Sequence, residues 1–221
     1  MKKIFLTILA FSVVLSAQAF DFSIWNLFKS NDSKVQQTTS KADATKATEE
    51  VISRINQLNA QMVQTDNSLQ NSFLNLVTLL SSNQESNNIA AQLSAIKTDF
   101  ATKEAEKSAA ISELIYSYAQ AFASNKANAI STIKSLTDSE KAALVDNVKK
   151  MAQNAYSYLG LASDYTKAAV SLAKNDSNIT DLANRIAAVK EDASILVNNA
   201  KTIKDALAQI SSLAKKGGAE I

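Results

Sequence analysis

Asp66, Lys103, Lys107 and Tyr158 are the residues whose types and predicted positions could act together on a small molecule: a carboxylate, two ammonium groups and a phenol, fit to hold a polar ligand by charge and hydrogen bonding. Catalysis is not expected of them. The 221 residues include no His and no Cys, the side chains behind most nucleophilic, acid–base, zinc and haem chemistry near neutral pH. No D-x-D-x-D-G calcium loop, Gly-rich phosphate loop or G-x-S-x-G elbow occurs, so neither a metal nor a cofactor is expected. Asp, Glu, Ser and Lys are otherwise spread over helix surfaces, where they read as solvated faces. The sequence predicts a protein that is not an enzyme.

A second constellation is apolar. Phe20, Phe22, Ile24, Trp25, Leu27 and Phe28 crowd into residues 20–28 and include the only Trp. Such a segment could lie in a membrane interface, enter a groove on a protein partner, or fold back on its own domain. A surface helix for anionic lipid normally carries several basic residues, whereas Asp21 and Lys29 are the only charges nearby.

These residues need elements to position them, and the composition says which. Pro is absent and Gly occurs 3 times, too few for the turns of sheets and hairpins, so the chain is predicted to be all-α with few, long helices. Residues 1–19 read as a secretory signal: Lys2 and Lys3, an apolar run from Ile4 to Leu15, and the small-x-small site Ala17-Gln18-Ala19. That run is short of the ~20 residues that cross a bilayer, and no later one reaches that length. With no Cys for a lipid anchor or disulfides, an exported product, periplasmic or extracellular, would depend on a packed core. Without Lys2 and Lys3 the chain carries 21 basic against 21 acidic groups, which leaves no electrostatic case for nucleic acid.

Residues 29–42 are polar and aperiodic and read as a flexible linker. Residues 43–221 read as a bundle domain of about four long helices. The first, over 43–81, carries Val51, Ile55, Leu58, Met62, Leu69, Phe73, Leu76 and Leu80 at helical spacing. The second starts at a capping box, Ser82 and Glu85, and carries Ile89, Leu93, Ile96 and Phe100, then, past a polar gap, Ile111, Ile115, Tyr118 and Phe122. Residues 124–136 are weaker, a short connecting helix or a frayed continuation.

A second capping box, Thr137 and Glu140, opens the third long helix. Its heptad seam is Leu144, Val148, Met151, Ala155, Tyr158, Ala162, Tyr165, Ala169 and Leu172. The fourth repeats the pattern from Ile179 to Ala214, and Lys215, Lys216 and a left-handed Gly217 are expected to end it. Rods of roughly 60 Å joined by short links imply an antiparallel up-and-down bundle with coiled-coil-like packing. Ala155, Ala162, Ala169, Ala193 and Ala200, with Gly160, should let the last two helices approach most closely.

Aligned as antiparallel rods, the four helices weaken at one height, where Lys103, Glu104 and Lys107 come beside Tyr158, Ala193 and the stretch Gln61, Gln64, Thr65 and Asp66. This layer reads as a device for register or as a small-ligand cavity. Sequons at Asn31, Asn175 and Asn178 fall in predicted loops, but the Lys- and Asn-rich composition looks bacterial. The expected role is protein interaction or scaffolding at a bacterial envelope or exterior, with an unknown partner or by self-association. The alternatives are a membrane-active protein in peripheral contact with lipid and a small-ligand-binding bundle.

Overall fold

The computed structural model describes residues 41–101, 103–175 and 180–220. Residues 1–40, and with them the signal, the cluster at 20–28 and most of the linker, lie outside the described residues. Six helices and no strand occur among the described residues: α1 (Lys41–Leu80), α2 (Asn83–Asp99), α3 (Glu104–Ser124), α4 (Lys126–Ser135), α5 (Asp138–Asn175) and α6 (Thr180–Lys216). Three of the expected long helices are present as α1, α5 and α6. The weak stretch is the short helix α4, and the sequon residue Asn175 closes α5.

The expected second long helix is two helices. α2 stops at Phe100 and α3 starts after Lys103, whose N–H donates back to the Phe100 carbonyl at 3.1 Å. The pairings give α3 its direction. Ser108 meets Asp66 of α1, whereas Tyr118 packs on Phe73 and shares a hydrogen bond with Ser81. Numbers therefore rise together along α1 and α3, which run parallel. Between Ser108 and Tyr118 lies ~15 Å of helix rise, so the opposite direction would place Tyr118 far from Phe73. α2 and α3 thus form a hairpin, and Glu85 at the start of α2 is close enough to act on the Tyr118 hydroxyl.

The polar gap is where this hairpin turns. Glu104 and Glu106 lie in the first turn of α3, where carboxylates suit the positive end of a helix dipole. No Gly, Pro or side-chain cap marks the turn, so the apolar stripe runs in phase through it and reads as one helix.

α5 runs against α1, since Ser68 pairs with Asn154, Asp66 with Tyr158 and Asn59 with Tyr165. α6 returns parallel to α1, with Asn199 beside Ala109 and Gly217 against Ile133 of α4. The most extensive helix pair is α5 with α6, followed by α3 with α6. Ala155, Ala162, Ala169, Ala193 and Ala200 are all buried, as close approach of backbones requires. The α6 seam from Val189 to Ala214 is likewise buried within the single chain.

Because α3 begins at mid-height, the α2–α3 hairpin adds to the core only above that level, and among the described helices α1, α5 and α6 alone continue below it. Burial follows this division. From residue 46 on, Leu58 is the first buried residue of α1, and Val51 and Ile55 before it are only half-buried.

The helix ends correct two expectations. α6 ends in a Schellman motif, in which the Ala219 N–H donates to the Ala214 carbonyl and the Gly218 N–H to that of Lys215. The left-handed residue is Gly218 (φ 87°), not Gly217. Gly217 is needed for a different reason, since a Cβ there would overlap the Ile133 side chain. Gly160 serves no close approach, because a Cβ there would meet nothing within 4 Å. We expect Gly217→Ala to cost about 1–3 kcal/mol by overpacking and Gly218→Ala about 1–2 kcal/mol by left-handed strain. Gly160→Ala should instead stabilise by about 1 kcal/mol through helix propensity. Urea midpoints of the three variants check the order, and a destabilising Gly160→Ala would contradict it.

Candidate functional site

The stripe of α1 contains an intruder. Met62 and Leu69 bracket Asp66, which occupies the intervening core position and is only 1% exposed. A carboxylate there must find donors, and two neighbouring helices supply them. The Ser108 hydroxyl of α3 donates to both carboxylate oxygens at 2.7 and 2.9 Å, and the Tyr158 hydroxyl of α5 donates to one of them at 2.5 Å. Ser108 also has the Glu104 carbonyl within reach at 3.0 Å. Three helices therefore meet on one carboxyl.

The charge nearby is nearly balanced. Lys107 reaches into the layer, but its ammonium is ion-paired with Glu104 in the same turn of α3. Burial pushes the Asp66 carboxyl up from 3.8 to about 6, against the lowering effects of the two hydroxyls and Lys107. Burial, reinforced by the Asp66 charge, also holds the Tyr158 phenol well above its ordinary value, so it remains a donor.

One heptad away the same device recurs. Tyr165 donates to Asn59, and burial together with Asp192 of α6 and Glu104 of α3 raises its phenol too. Two tyrosines seven residues apart on α5 thus bridge to two acceptors seven residues apart on α1. On each level a phenol of α5, rather than an apolar side chain, makes the link to α1. Near the top of α3, burial pushes Tyr118 up to about 12, and its ring lies edge-on to Phe73 at 5.5 Å.

The structure brings Asp66, Lys107 and Tyr158 together and leaves Lys103 out. Lys103 belongs to the hairpin turn, is exposed, and pairs with Glu106 at 2.9 Å. Ala193 is buried as expected, whereas Gln61, Gln64 and Thr65 face outward. With Ser68 they line one wall of an open groove of about 470 Å³, whose other wall is Asn154, Ser157, Gly160, Leu161 and Asp164 of α5. Sequence reasoning missed Ser108, Asn59 and Tyr165 as members of the layer. Ser108 and Ser112 stand on the same face as Ile111 and Ile115, a sign that the α3 core face begins with hydroxyls.

Phe20, Phe22, Ile24, Trp25, Leu27 and Phe28 lie outside the described residues. Among the residues whose side chains are described, the only large apolar side chain that is exposed is Tyr156, at 46%. No helix among them is long and apolar enough to cross a membrane. Compared with known proteins, the chain matches no family model, no curated protein and no solved structure.

Proposed function

We propose that this chain is an exported, non-enzymatic interaction or scaffold protein of a bacterial envelope or exterior. In this reading its three full-length helices, α1, α5 and α6, run up-down-up with coiled-coil-like seams, α3 lies parallel to α1, and the segment at residues 20–28 is its docking element. The observation that carries the reading is where the apolar surface goes. The seams of α3 and α5, of α1 from Leu58 on and of α6 from Val189 on lie mostly in the chain's own core, and the described exterior is polar. A partner that needs an apolar anchor would find one in Phe20, Phe22, Ile24, Trp25, Leu27 and Phe28. Sedimentation and pull-down from envelope extract, with the exported chain and with a version lacking residues 20–28, test this. A specific partner or a self-assembly lost with the segment is expected. A monodisperse protein that captures nothing in either form would sink the proposal.

One observation favours a second reading, membrane activity. From Ser108 to Ser124 of α3 the only charged residue is Glu113, so an unseated hairpin would offer lipid an amphipathic helix with little charge. Liposome co-sedimentation separates the two readings. Binding abolished by Trp25→Ser with Phe28→Ser would favour membrane over protein.

A further inference from the structure

The Asp66 layer offers a second arrangement of its protons. In the first, the carboxylate is charged and accepts from Ser108 and Tyr158. In the second, a proton taken from solvent makes Asp66 a donor. We propose that Asp66 is a proton-operated latch on the α2–α3 hairpin: when protonated it donates to Ser108, Ser108 turns its own proton to the Glu104 carbonyl, and the hairpin is held more firmly because no net charge remains buried. The geometry for this exchange is already present, since Ser108 Oγ stands within 3.0 Å of the Glu104 carbonyl and of both Asp66 oxygens. Tyr158 remains a donor in either arrangement.

The surrounding charges leave Asp66 without a cation of its own. From α3 it faces Glu104 and Lys107, which are paired to each other. From α5 it faces only the Tyr158 phenol. On α6, Asp192 acts on Tyr165 and is itself raised, by burial and by Glu191 and Glu106. The neighbours of Asp66 within a turn of α1 are uncharged.

Against α1, the hairpin is held by fewer polar ties than α5, while α3 packs extensively on α6. α5 is tied to α1 by Asn59–Tyr165, Ser68–Asn154 and Arg54–Asp164 besides Asp66. The lower half of α3 is tied to α1 by Ser108 alone, and α2 buries only Ile89 and Leu93.

The sign follows from linkage. A carboxyl that titrates near pH 6 when seated and near its ordinary 3.8 when released favours the seated state as pH falls. The seated advantage is complete below the lower value and is lost as pH rises through the higher one.

Native-state hydrogen exchange of the full chain, corrected for intrinsic rates, tests the latch at amides 111–119 of α3. Between pH 8 and pH 5, one pH unit below the titration, local opening should fall about tenfold. In Asp66→Asn the change should shrink below about twofold, whereas Asp192→Asn should keep it. An unchanged rate in the natural chain, a tenfold change surviving in Asp66→Asn, or its loss in Asp192→Asn would each overturn the proposal. Equal slowing throughout α5 and α6 would overturn the hairpin as the moving element. If Asp66→Asn does not fold, the carboxyl carbon of Asp66 followed by NMR in the natural chain must titrate near pH 6, and a midpoint below about pH 5 would reject the latch.

Discussion

Phe73→Ala is expected to lower stability by about 3–5 kcal/mol, more than any of the glycine substitutions, and the melting temperature by roughly 10 °C. Phe73 is fully buried on α1 and meets the edge of Tyr118 at an interplanar angle of 77°, the geometry that pairs a ring's positive edge with another's negative face. Tyr118 in turn binds Ser81 at the end of α1 and stacks on Phe122, so the ring contact fastens the upper part of α3 to α1. Truncation would leave a cavity that rigid helices cannot collapse to fill. Ile55→Ala supplies the contrast: half-buried where only three helices meet, it should cost about 1 kcal/mol. Calorimetry on both variants measures the difference. Equal losses would mean that the α1–α3 contact has no special weight.

Tyr158→Phe should cost about 2–3 kcal/mol at pH 8 and about 1 kcal/mol at pH 5, although the ring and its packing are retained. At pH 8 Asp66 is ionised in both folded and unfolded chains. The lost hydroxyl is then one of two donors to a buried charge, and hydrogen bonds to charged groups are the stronger kind. At pH 5 the folded chain carries Asp66 largely protonated, so an ordinary neutral bond is lost. The phenol also lowers the Asp66 titration, so its removal raises that titration further and steepens the decline of stability above pH 6. Urea midpoints at the two pH values decide the matter. An identical loss at both would show that the charge of Asp66 does not bear on this bond.

The helices were legible where local signals and tertiary packing agree. Thr137 and Glu140 form the full reciprocal box, each backbone N–H held by the other's side chain, and the Thr137 N–H and hydroxyl, both donating to it, keep the Glu140 carboxyl below its usual range. Ser82 likewise accepts from the Glu85 N–H at the start of α2. The α5 and α6 seams were readable because their heptads are uninterrupted. The α2–α3 turn was not, because Ile89, Leu93, Ile96 and Phe100 stay in phase with Ile111 and Ile115 across it. Periodicity reports which face is apolar; it is blind to a reversal that preserves the phase.

The layer was half legible for a related reason. Asp66 falls in step with Met62 and Leu69, and Tyr158 in step with Ala155 and Ala162, so both had to point inward. Lys103 and Lys107 both lie in step with Ile111, but only Lys107 is inside α3. The N-terminus of that helix excludes Lys103, and its position depends on the turn that the pattern concealed. Ser108 escaped notice because a hydroxyl at a core position has no distinctive spacing. Its role emerges only when the reversal brings it opposite Asp66.

The direction of α3 has a mechanical consequence. α1, α3 and α6 climb and α2 and α5 descend, so the chain makes an odd number of lengthwise passes. From Thr45 on, α1 enters at the end where α3 is absent, and α6 leaves at the end where α3 and α4 lie. A pull applied between residues 45 and 216 would therefore slide α1 and α6 along their neighbours, loading the buried side chains together. In an even-numbered bundle both chain ends would leave from one side and could be peeled apart a turn at a time. The tyrosine bridges would resist this sliding directly, because displacing α5 by one heptad along α1 moves Tyr165 opposite Asp66 and leaves Asn59 with no phenol.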